Sequence, residues 1–507
     1  MTLTIPPGRY VLSPGVDLVP RETGGLMLRE TPLRLLRLNQ GAFAIIEACR
    51  QGFSPADYLA GRDDPQAGPL LSLLDKLCRL RLLEWQPAPG FTPLVSIIIP
   101  VYNRAGEIGE CLESLLALSY PEDRREIIVV DDGSTDYLHK EVGRYPVRLL
   151  AYPDNRGQSS ARNLGVAAAR GEIIAFIDSD CVAEPHWLSD LTPYFQDPRV
   201  ALVGGYVAAY YRETWLDRYE AAASPLNMGG HLAIGEAQDL DFYVPTCNLL
   251  VRREAFQGVG GLAETLRFGE DVDLCWKLRK RGHRQLYVPK GVVRHKHRNR
   301  LGASARQRFH YGTSEPVLYT RHPEVVKRLP WQPWGLAFWG GLALSLWQPA
   351  GLGVAGVAWL GEFFQKKPRL FPQAGPRVYA KIMKALLKNY FALAYYLTLH
   401  LVRYYLLVLL AAAALFPGAR PLILAAMLLP VGVEYFRKKA PLNVAAFTLF
   451  FLGEQMCYQA GVLWGSLKLR TMRCYRPHWL GRNSPGKGGA ATDWGLAGRL
   501  RKAGSQS

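Results

Sequence analysis

The sequence predicts an α/β fold with a parallel β-sheet, and three short apolar runs are the basis of that prediction. Uninterrupted apolar runs are typical of strands that are buried on both faces of a sheet. Helical patterns separate the runs, so strands and helices alternate along the chain. Ligands of such sheets bind beyond the carboxyl ends of the strands, and we therefore expect the polar residues after each run to share one edge. The runs begin at Val95, Glu126 and Gly171, and the helical patterns cover residues 105–118 and 157–169.

The third run ends in the acidic motif Asp178-Ser-Asp180. Two carboxylates separated by one residue at a strand end could hold a divalent ion such as Mg²⁺ or Mn²⁺ through oxygen ligands. Such an ion would stabilise a diphosphate as a leaving group. The same motif also occurs with a purely structural role, but the polar clusters that end the two preceding runs favour the ion site.

Together these clusters resemble the family 2 glycosyltransferases over about residues 93–315. The resemblance implies a GT-A fold, which is a Rossmann-like nucleotide-sugar transferase core, and a sugar nucleotide such as a UDP-sugar as the donor. It also implies a set of donor and acceptor contacts. These are Pro100, Tyr102 and Asn103 beside the nucleoside, Asp132 at the base, Arg162 with phosphate, Asn163 capping or lining the site, Asp178 near the ribose or metal, Asp180 on the metal, and Thr246 and Asn248 beneath the donor sugar and acceptor.

Two candidate residues, Arg162 and His295, each have a plain alternative role. Arg162 could equally be a solvated residue on its predicted helix. Residues 292–297 alternate like a strand, which predicts that His295 and His297 share one face. His295 is then a candidate ligand of a diphosphate-bound metal, and the alternative is a pair of basic histidines at the surface.

A second acidic pair, Glu270-Asp271, begins a predicted helix. Acids in a first turn are favoured by the helix dipole alone. The family, however, has its catalytic base at this pair, and inverting glycosyl transfer needs a carboxylate to accept a proton from the acceptor hydroxyl. The resemblance therefore implies Asp271 as the base and Glu270 as a residue that positions the acceptor. Asp273 is predicted to be structural.

Residues 1–86 are predicted to form a small winged-helix unit of their own. Short strands are predicted at residues 9–12 and 25–29. The runs Leu36-Arg-Leu-Asn39, Gln51-Gly-Phe53 and Leu80-Arg-Leu-Leu83 resemble the PqqD-like peptide-recognition domains, which implies a peptide-derived acceptor or another cofactor-biosynthesis enzyme as partner. A plain packing domain is the alternative. Nucleic acid is not expected, because the third predicted helix has few side chains suited to reading base edges. The predicted helices cover residues 31–38, 42–50 and 70–83.

The last third of the chain is apolar. Residues 391–416 are long enough to span a bilayer, and residues 422–436 are marginal in length. Basic residues flank this pair on both sides, which predicts a hairpin with both ends in the cytoplasm. Residues 445–463 contain Glu454 and are expected to lie at the interface. A cell-membrane location with a cytoplasmic catalytic domain follows, and the net charge of +18 fits a membrane surface. Buried helices of a soluble domain are the alternative.

Four regions are therefore predicted. They are residues 1–86, a PqqD-like domain; residues 93–320, the transferase domain; residues 331–482, membrane-associated helices; and residues 483–507, a disordered basic tail. The eight cysteines include no Cys-x-x-Cys pair, which indicates reduced thiols in the cytosol.

The order of these regions resembles the glycosyltransferases of the mycofactocin system. That resemblance implies transfer of glucose from UDP-glucose to a peptide-derived redox cofactor, repeated to give a short β-1,4-glucan. A membrane-associated polysaccharide or glycolipid transferase is one alternative, but processive members carry Gln-x-x-Arg-Trp where this chain has Gln307 followed by His310-Tyr311. A non-enzymatic regulator is the other, and the intact acidic motifs argue against it. The residues alone support transfer that depends on a sugar nucleotide.

Overall fold

The computed structural model describes residues 6–30, 33–60, 67–235, 242–370 and 376–480. Its N-terminal unit has an apolar core of its own, centred on Met27, Ile46 and Leu74. A three-stranded antiparallel sheet runs in the order β2-β3-β4, and β1 pairs with β5. The elements are β1 (Gly8–Leu12), β2 (Val16–Arg21), β3 (Gly24–Glu30), β4 (Leu33–Leu38), α1 (Gln40–Ala48), α2 (Pro55–Leu59), α3 (Ala67–Arg79) and β5 (Leu83–Pro87).

The helix predicted over residues 31–38 is wrong where the structure describes it, because residues 33–38 form strand β4. Leu36 pairs with Met27 of β3, so pairing with the neighbouring strand overrides the helical spacing of the leucines. The helix predicted over residues 42–50 is present as α1, and Asn39 caps it by accepting a hydrogen bond from the Ala42 amide. The third helix ends at Arg79, earlier than predicted, and Arg81 adopts a left-handed conformation with φ of 57° before β5.

The central domain confirms the predicted α/β fold. Its eight-stranded sheet has the order β13-β15-β11-β14-β9-β6-β7-β8. The three predicted apolar runs are neighbouring parallel strands, β9, β6 and β7, and every residue of β6 is buried. The elements are β6 (Val95–Val101), α4 (Ala105–Leu116), β7 (Arg125–Asp132), α5 (Leu138–Val142), β8 (Arg148–Tyr152), α6 (Gln158–Ala168), β9 (Ile173–Phe176), β10 (Cys181–Ala183), α7 (Trp187–Leu191), β11 (Val200–Gly204), β12 (Val207–Ala209), α8 (Trp215–Ala223), β13 (Ala233–Gly235), β14 (Leu249–Arg252), α9 (Arg253–Gly258), α10 (Glu270–Lys280), β15 (Arg284–Tyr287) and β16 (Val293–His295).

The central domain also has a second, smaller sheet. Strand β11 ends at Gly204 in the large sheet, and β12 begins in the second sheet, which has the order β10-β16-β12. A Cβ atom on Gly204 would lie 1.9 Å from the Val244 side chain, so this close packing requires glycine where the strands part. Strand β14 begins at Leu249, directly after residues 246–248, which form a 3-10 turn.

The last third of the described chain is helical and packs against the central domain. Its elements are α11 (Leu301–Arg321), β17 (Arg328–Pro330), α12 (Pro333–Leu344), α13 (Ala350–Leu370), α14 (Pro376–Leu415), α15 (Arg420–Lys438), α16 (Val444–Lys468) and β18 (His478–Leu480). Arg308 of α11 joins Glu220 of α8, at 2.7 Å, to Glu454 of α16, at 3.4 Å. The Tyr219 hydroxyl also donates to Glu454, at 2.6 Å. The acid that interrupts the apolar run 445–463 therefore faces the central domain.

Two helical segments, Tyr379–Leu415 and Pro417–Lys438, are long and apolar enough to cross a membrane, by length and composition only. Helix α14 is kinked at Tyr405, whose φ of −133° and ψ of 18° are not helical. Large apolar side chains such as Val408, Leu415 and Leu424 are exposed along this pair. Exposed apolar surface of this kind is typical of protein or membrane contacts. The tail predicted over residues 483–507 lies outside the described residues.

A charged cluster joins the N-terminal unit to the central domain. Asp75 of α3 lies 3.1 Å from Arg284 and also pairs with Arg199, and both arginines pair with Asp197. Arg199 immediately precedes β11, and Arg284 is the first residue of β15. Because β11 and β15 run parallel to β6 and β9, the N-terminal unit contacts the amino ends of the central strands.

Candidate active site

A cavity of about 1080 Å³ lies at the carboxyl edge of the central sheet. It collects the polar residues that follow the three apolar runs, as the fold predicts. Most of the predicted site residues line it, and Asn103, Asn163 and Asn248 are described residues outside that lining. Those that line it are Pro100, Tyr102, Asp132, Arg162, Asp178, Asp180, Thr246, Glu270, Asp271 and His295.

Arg162 connects the two acidic motifs. Its side chain is 1% exposed, so the alternative of a solvated helix residue is wrong. One guanidinium nitrogen donates to Asp178 at 2.5 Å, and another donates to Glu270 at 3.1 Å. Gln158, one turn earlier on α6, also donates to Glu270, at 2.7 Å. The charge of Arg162 therefore compensates two carboxylates that belong to distant parts of the sequence.

Asp180 lies in a strongly basic environment. Its carboxylate oxygens are 3.6 Å from His295 Nε2, 3.6 Å from Arg298 and 3.8 Å from Arg104. His295 reaches it because β16 pairs with β10, with Cys181 opposite His295. Arg298 and Arg104 are the permanently charged neighbours of this carboxylate, and Arg104 also pairs with Glu107. Both guanidinium groups lie where a diphosphate could bind.

The donor atoms here could also hold a metal ion. One ligand atom from each of Asp180, Cys181 and His295 lies within 4.8 Å of the others. Burial raises the pKa of the Cys181 thiol well above its ordinary value, so the thiol keeps its proton and is a poor ligand. A carboxylate and an imidazole remain, and carboxylate oxygens are the ligands that Mg²⁺ and Mn²⁺ prefer.

Glu270 and Asp271 begin α10 at the edge of the cavity, where Gly269 precedes them with a left-handed φ of 79°. Burial raises the pKa of Glu270, and the neighbouring charge of Asp271 raises it further. Burial also raises the pKa of Asp271, although a hydrogen bond from the Val272 amide, at 2.8 Å, opposes that effect. A carboxylate with a raised pKa is a stronger base than an ordinary one, which suits proton abstraction.

The side of the cavity next to β6 and β7 is built from two strand-end loops. Asp132 accepts hydrogen bonds from the amides of Arg156 and Gly157, each at 2.8 Å, and thereby fixes the loop before α6. Asn103 adopts a left-handed φ of 51° and accepts from the Thr135 amide at 2.8 Å. Asn103 therefore joins the loops that follow β6 and β7, while Tyr102 lies exposed in front of them.

Three polar side chains lie elsewhere than predicted. Asn248 is fully buried, donates to the Tyr206 and Gly291 carbonyls, and accepts from Trp187, so its amide is occupied within the protein. Asn163 similarly holds the loop at Leu262. The pair His295 and His297 does not share a strand face, because β16 ends at His295. His297 instead lies 3.0 Å from Asp217, and the surface alternative is wrong because both rings are largely buried.

Residues 96–260 match the family model described as glycosyl transferase family 2. The chain is therefore similar to family 2 glycosyltransferases over this part of its length. Its central domain has the GT-A fold that the sequence resemblance implied. The pre-mycofactocin glycosyltransferase of Mycobacterium tuberculosis is 29% identical over 468 residues, which cover 90% of this chain and 94% of that protein. Glycosyltransferase AglE of Haloferax volcanii is 33% identical over 188 residues, 36% of this chain and 59% of that protein.

Among solved structures, one relative is a mannosyltransferase of Pyrobaculum calidifontis in complex with GDP-Man and Mn²⁺. It is 20% identical, with a TM-score of 0.42, and the match covers 81% of this glycosyltransferase and 98% of the mannosyltransferase.

Sequence reasoning missed several residues of the glycosyltransferase cavity. Arg104 and Arg298 were not predicted, since isolated arginines in loops carry no spacing signal. The far side of the cavity includes Arg403, Tyr404 and Tyr458 from helices α14 and α16. A signal for Arg403 was present, because a charged residue inside an apolar segment is costly and usually marks a functional position.

Loss of the Arg162 charge should destabilise this glycosyltransferase strongly. Arg162→Met leaves Glu270 buried without its cation, and we expect a loss of about 3–5 kcal/mol in the free energy of unfolding. Arg162→Met combined with Glu270→Gln should recover part of that loss, because the unpaired charge is gone. Urea denaturation measures both effects, with Arg148→Met as an exposed control. A double variant no more stable than Arg162→Met would contradict the pairing.

Proposed function

We propose that this chain is a metal-dependent, inverting hexosyltransferase that moves glucose from UDP-glucose to a peptide-derived redox cofactor of the mycofactocin kind. Repeated transfer would build a short β-1,4-glucan. The observation that carries the proposal is the common cavity of Asp271 and the Asp178–Asp180 motif, which brings a candidate base to a candidate diphosphate site. Similarity to the pre-mycofactocin glycosyltransferase along 90% of the chain supports the acceptor class.

In the proposed donor site, Asp180 would hold Mg²⁺ or Mn²⁺, with His295 and Asp178 near it. A bound ion supplies positive charge that stabilises the diphosphate leaving group. Arg104 and Arg298, both within 4 Å of Asp180, would add positive charge beside the same phosphates. Arg162 holds Asp178 in place through their hydrogen bond, which keeps the acidic motif rigid.

In the proposed transfer step, Asp271 accepts the proton of the acceptor hydroxyl. The hydroxyl oxygen forms a bond to the anomeric carbon of the sugar while the bond from that carbon to the UDP oxygen breaks. The electron pair of the broken bond leaves with UDP, and attack from the opposite face inverts the anomeric centre. Glu270, held by Gln158 and Arg162, would position the acceptor beside the base.

The variant Asp271→Asn tests the base. It keeps the shape of the side chain but removes the basic oxygen, and a positioned base contributes on the order of 100- to 10,000-fold in rate. We expect turnover to fall by about that factor while calorimetry gives nearly unchanged donor affinity. Asp190→Asn, a change outside the cavity lining, is the control.

The same base sets the dependence of turnover on pH. Because burial raises the pKa of Asp271, the acid limb of kcat/KM should be centred above about 4, the ordinary range of aspartate. Activity is present when Asp271 is deprotonated and is lost as the pH falls through its pKa. An acid limb at ordinary aspartate pH, or an α-linked product by NMR from an α-linked donor, would contradict the mechanism.

Metal dependence is tested at Asp180. We expect a chelator to abolish turnover and Mn²⁺ or Mg²⁺ to restore it, and Asp180→Asn should lose most turnover while circular dichroism is unchanged. The reason is that this substitution removes the only carboxylate in the described ligand group. Asp123→Asn, at an exposed position, is the matched control. Full activity in the presence of the chelator, or of the Asp180→Asn variant, would contradict the proposal that Asp180 holds a required metal ion.

For the N-terminal unit, we propose recognition of an extended peptide by strand addition. Strands β2 and β4 are the two edges of its small sheet, and Pro20 blunts the β2 edge because proline offers no amide. The β4 edge carries Arg34 and Arg37, and Arg34 Nε is buried without a hydrogen-bond partner among the described residues. The β4 edge therefore suits an acidic peptide, either on the acceptor or on a partner enzyme.

Peptide recognition can be measured on the full chain with a fluorescent acidic decapeptide. Arg37→Glu reverses an exposed charge on the β4 edge and should weaken binding at least several-fold in fluorescence anisotropy, while Arg37→Lys should retain most of it. Asp17→Asn, on the β2 edge, controls for general changes of surface charge. Equal binding by Arg37→Glu and the unaltered protein would assign the unit another role.

A membrane location is also part of the proposal. The exposed apolar residues of α14 and α15 support attachment to the cell membrane, with the central domain in the cytoplasm. Recovery of the protein in the soluble fraction after lysis would contradict this.

The same apolar surface favours a second candidate function, synthesis of a polysaccharide or glycolipid. Mass spectrometry of the products in lipid and aqueous extracts distinguishes the two acceptor classes.

A further inference from the structure

The cavity extends beyond the two acidic motifs to a side built largely by the C-terminal helices. Helix α14 supplies Arg403 and Tyr404, α16 supplies Tyr458, and α11 supplies Glu315. Lys327, from the segment after α11, completes this side. These residues belong to the same cavity as Asp271, yet they have no part in the donor site or the proton transfer described above.

Their side chains form a connected network around Glu315. The Tyr404 and Tyr458 hydroxyls donate to the Glu315 carboxylate, at 2.9 and 2.6 Å, and Lys327 lies 2.5 Å from the same carboxylate. The Lys327 ammonium is also 3.4 Å from the centre of the Tyr404 ring. The Arg403 guanidinium lies 4.0 Å from the centre of the Tyr458 ring. The two rings are thus held rigidly before any ligand binds.

Two further tyrosines connect this network to the proposed base. Tyr243 and Tyr311 line the cavity, and burial raises the pKa of both hydroxyls. The charge of Asp271 raises each pKa further, whereas Arg308 opposes the rise at Tyr311. The charge of Arg403 acts on Tyr243 in the opposite direction. The charges of Asp271, the proposed base, and of Arg403, on the far side of the cavity, therefore both act on Tyr243. We call Tyr243, Tyr311, Tyr404 and Tyr458 the aromatic wall.

The position of Arg403 argues against a purely packing role. It lies in an apolar segment long enough to span a membrane, where a cation is costly and faces a protein interior or cavity. The helix departs from regular geometry at Tyr405, directly after Arg403 and Tyr404. Kinks of this kind have a local cause, and here the kink falls where α14 contributes its two cavity residues.

We propose that the aromatic wall and Arg403 form the acceptor subsite of this enzyme, an inference that rests on the glycosyl transfer proposed above. The subsite takes a ring with an apolar face and a hydroxylated edge, which is a sugar or a phenol. Aromatic rings pack against the apolar face, and the guanidinium of Arg403 donates to the hydroxyl oxygens. An acceptor ring bound there would extend from the far side of the cavity towards Asp271.

Binding is tested directly on the full chain in detergent, with UDP present, by saturation-transfer NMR. Cellobiose is the sugar probe and 4-hydroxyphenylacetamide is the phenol probe, and the arm that responds identifies the ring. The variant Tyr458→Leu removes the aromatic face, whereas Tyr458→Phe keeps the face and removes only the hydroxyl that binds Glu315. Tyr396→Leu, an exposed tyrosine of α14 outside the cavity lining, is the matched control.

We expect Tyr458→Leu to weaken binding of the responding probe about 2- to 10-fold, the range for loss of an aromatic contact. Tyr396→Leu should bind like the unaltered protein, and Tyr458→Phe should lose less binding than Tyr458→Leu because it keeps the ring face. Arg403→Met should weaken binding of the probe as Tyr458→Leu does. The same change should appear as a raised acceptor KM in assays of UDP release, with donor affinity by calorimetry within about twofold.

Three results would overturn the proposal. One is that neither probe binds the unaltered protein at millimolar concentration. Another is equal loss in Tyr458→Leu and Tyr458→Phe, which would assign the effect to the bond with Glu315 and hence to folding. The third is unchanged binding in Tyr458→Leu and Arg403→Met. Failure of the proposed function is a separate observation, namely no binding or hydrolysis of UDP-glucose by a protein that still binds the probes.

Discussion

The buried guanidinium of Arg162 is the interaction on which the site depends. It sits in the first turns of α6 and bonds to Asp178 after β9 and to Glu270 at the start of α10. Without a cation at this point, Asp178 and Glu270 would repel one another, and the charge of the buried Glu270 would be uncompensated. With it, the Asp178–Asp180 motif and the Glu270–Asp271 pair are held at one edge of the sheet, in the lining of one cavity.

A second constraint is the attachment of the C-terminal helices to the central domain. Arg308 is shared between Glu220 and Glu454, and this cluster aligns α16 along α11. The alignment brings Tyr458 to the cavity, and α14 packs behind it with Arg403 and Tyr404. The apolar helices therefore line the enzyme's cavity and are also candidates for membrane attachment. A change that removes these helices from the membrane would therefore also disturb the cavity.

Much of the central domain could be predicted from the sequence, because its strands are buried on both faces and read as plain apolar runs. The acidic motifs could be predicted equally well, since they directly follow those runs. The errors have physical causes. Residues 33–38 carry leucines at helical spacing but pair with β3, and Asn248 has the right residue type near the site but donates its amide to Tyr206 and Gly291. Arg104, Arg298 and Tyr458 reach the cavity through tertiary packing, which no local pattern records.

The docking of the N-terminal unit through Asp75 has a geometric consequence for any peptide that it holds. Asp75 contacts the amino ends of β11 and β15, whereas the cavity lies at the carboxyl ends of the sheet. Strands of five to seven residues separate the two ends by about 20 Å. If the N-terminal unit binds a peptide as proposed, that peptide would act as a tether, and its length would set the local concentration of the group at its far end. Tethers too short to pass around the domain would deliver nothing to the cavity, so this arrangement would select acceptors by length as well as by chemistry.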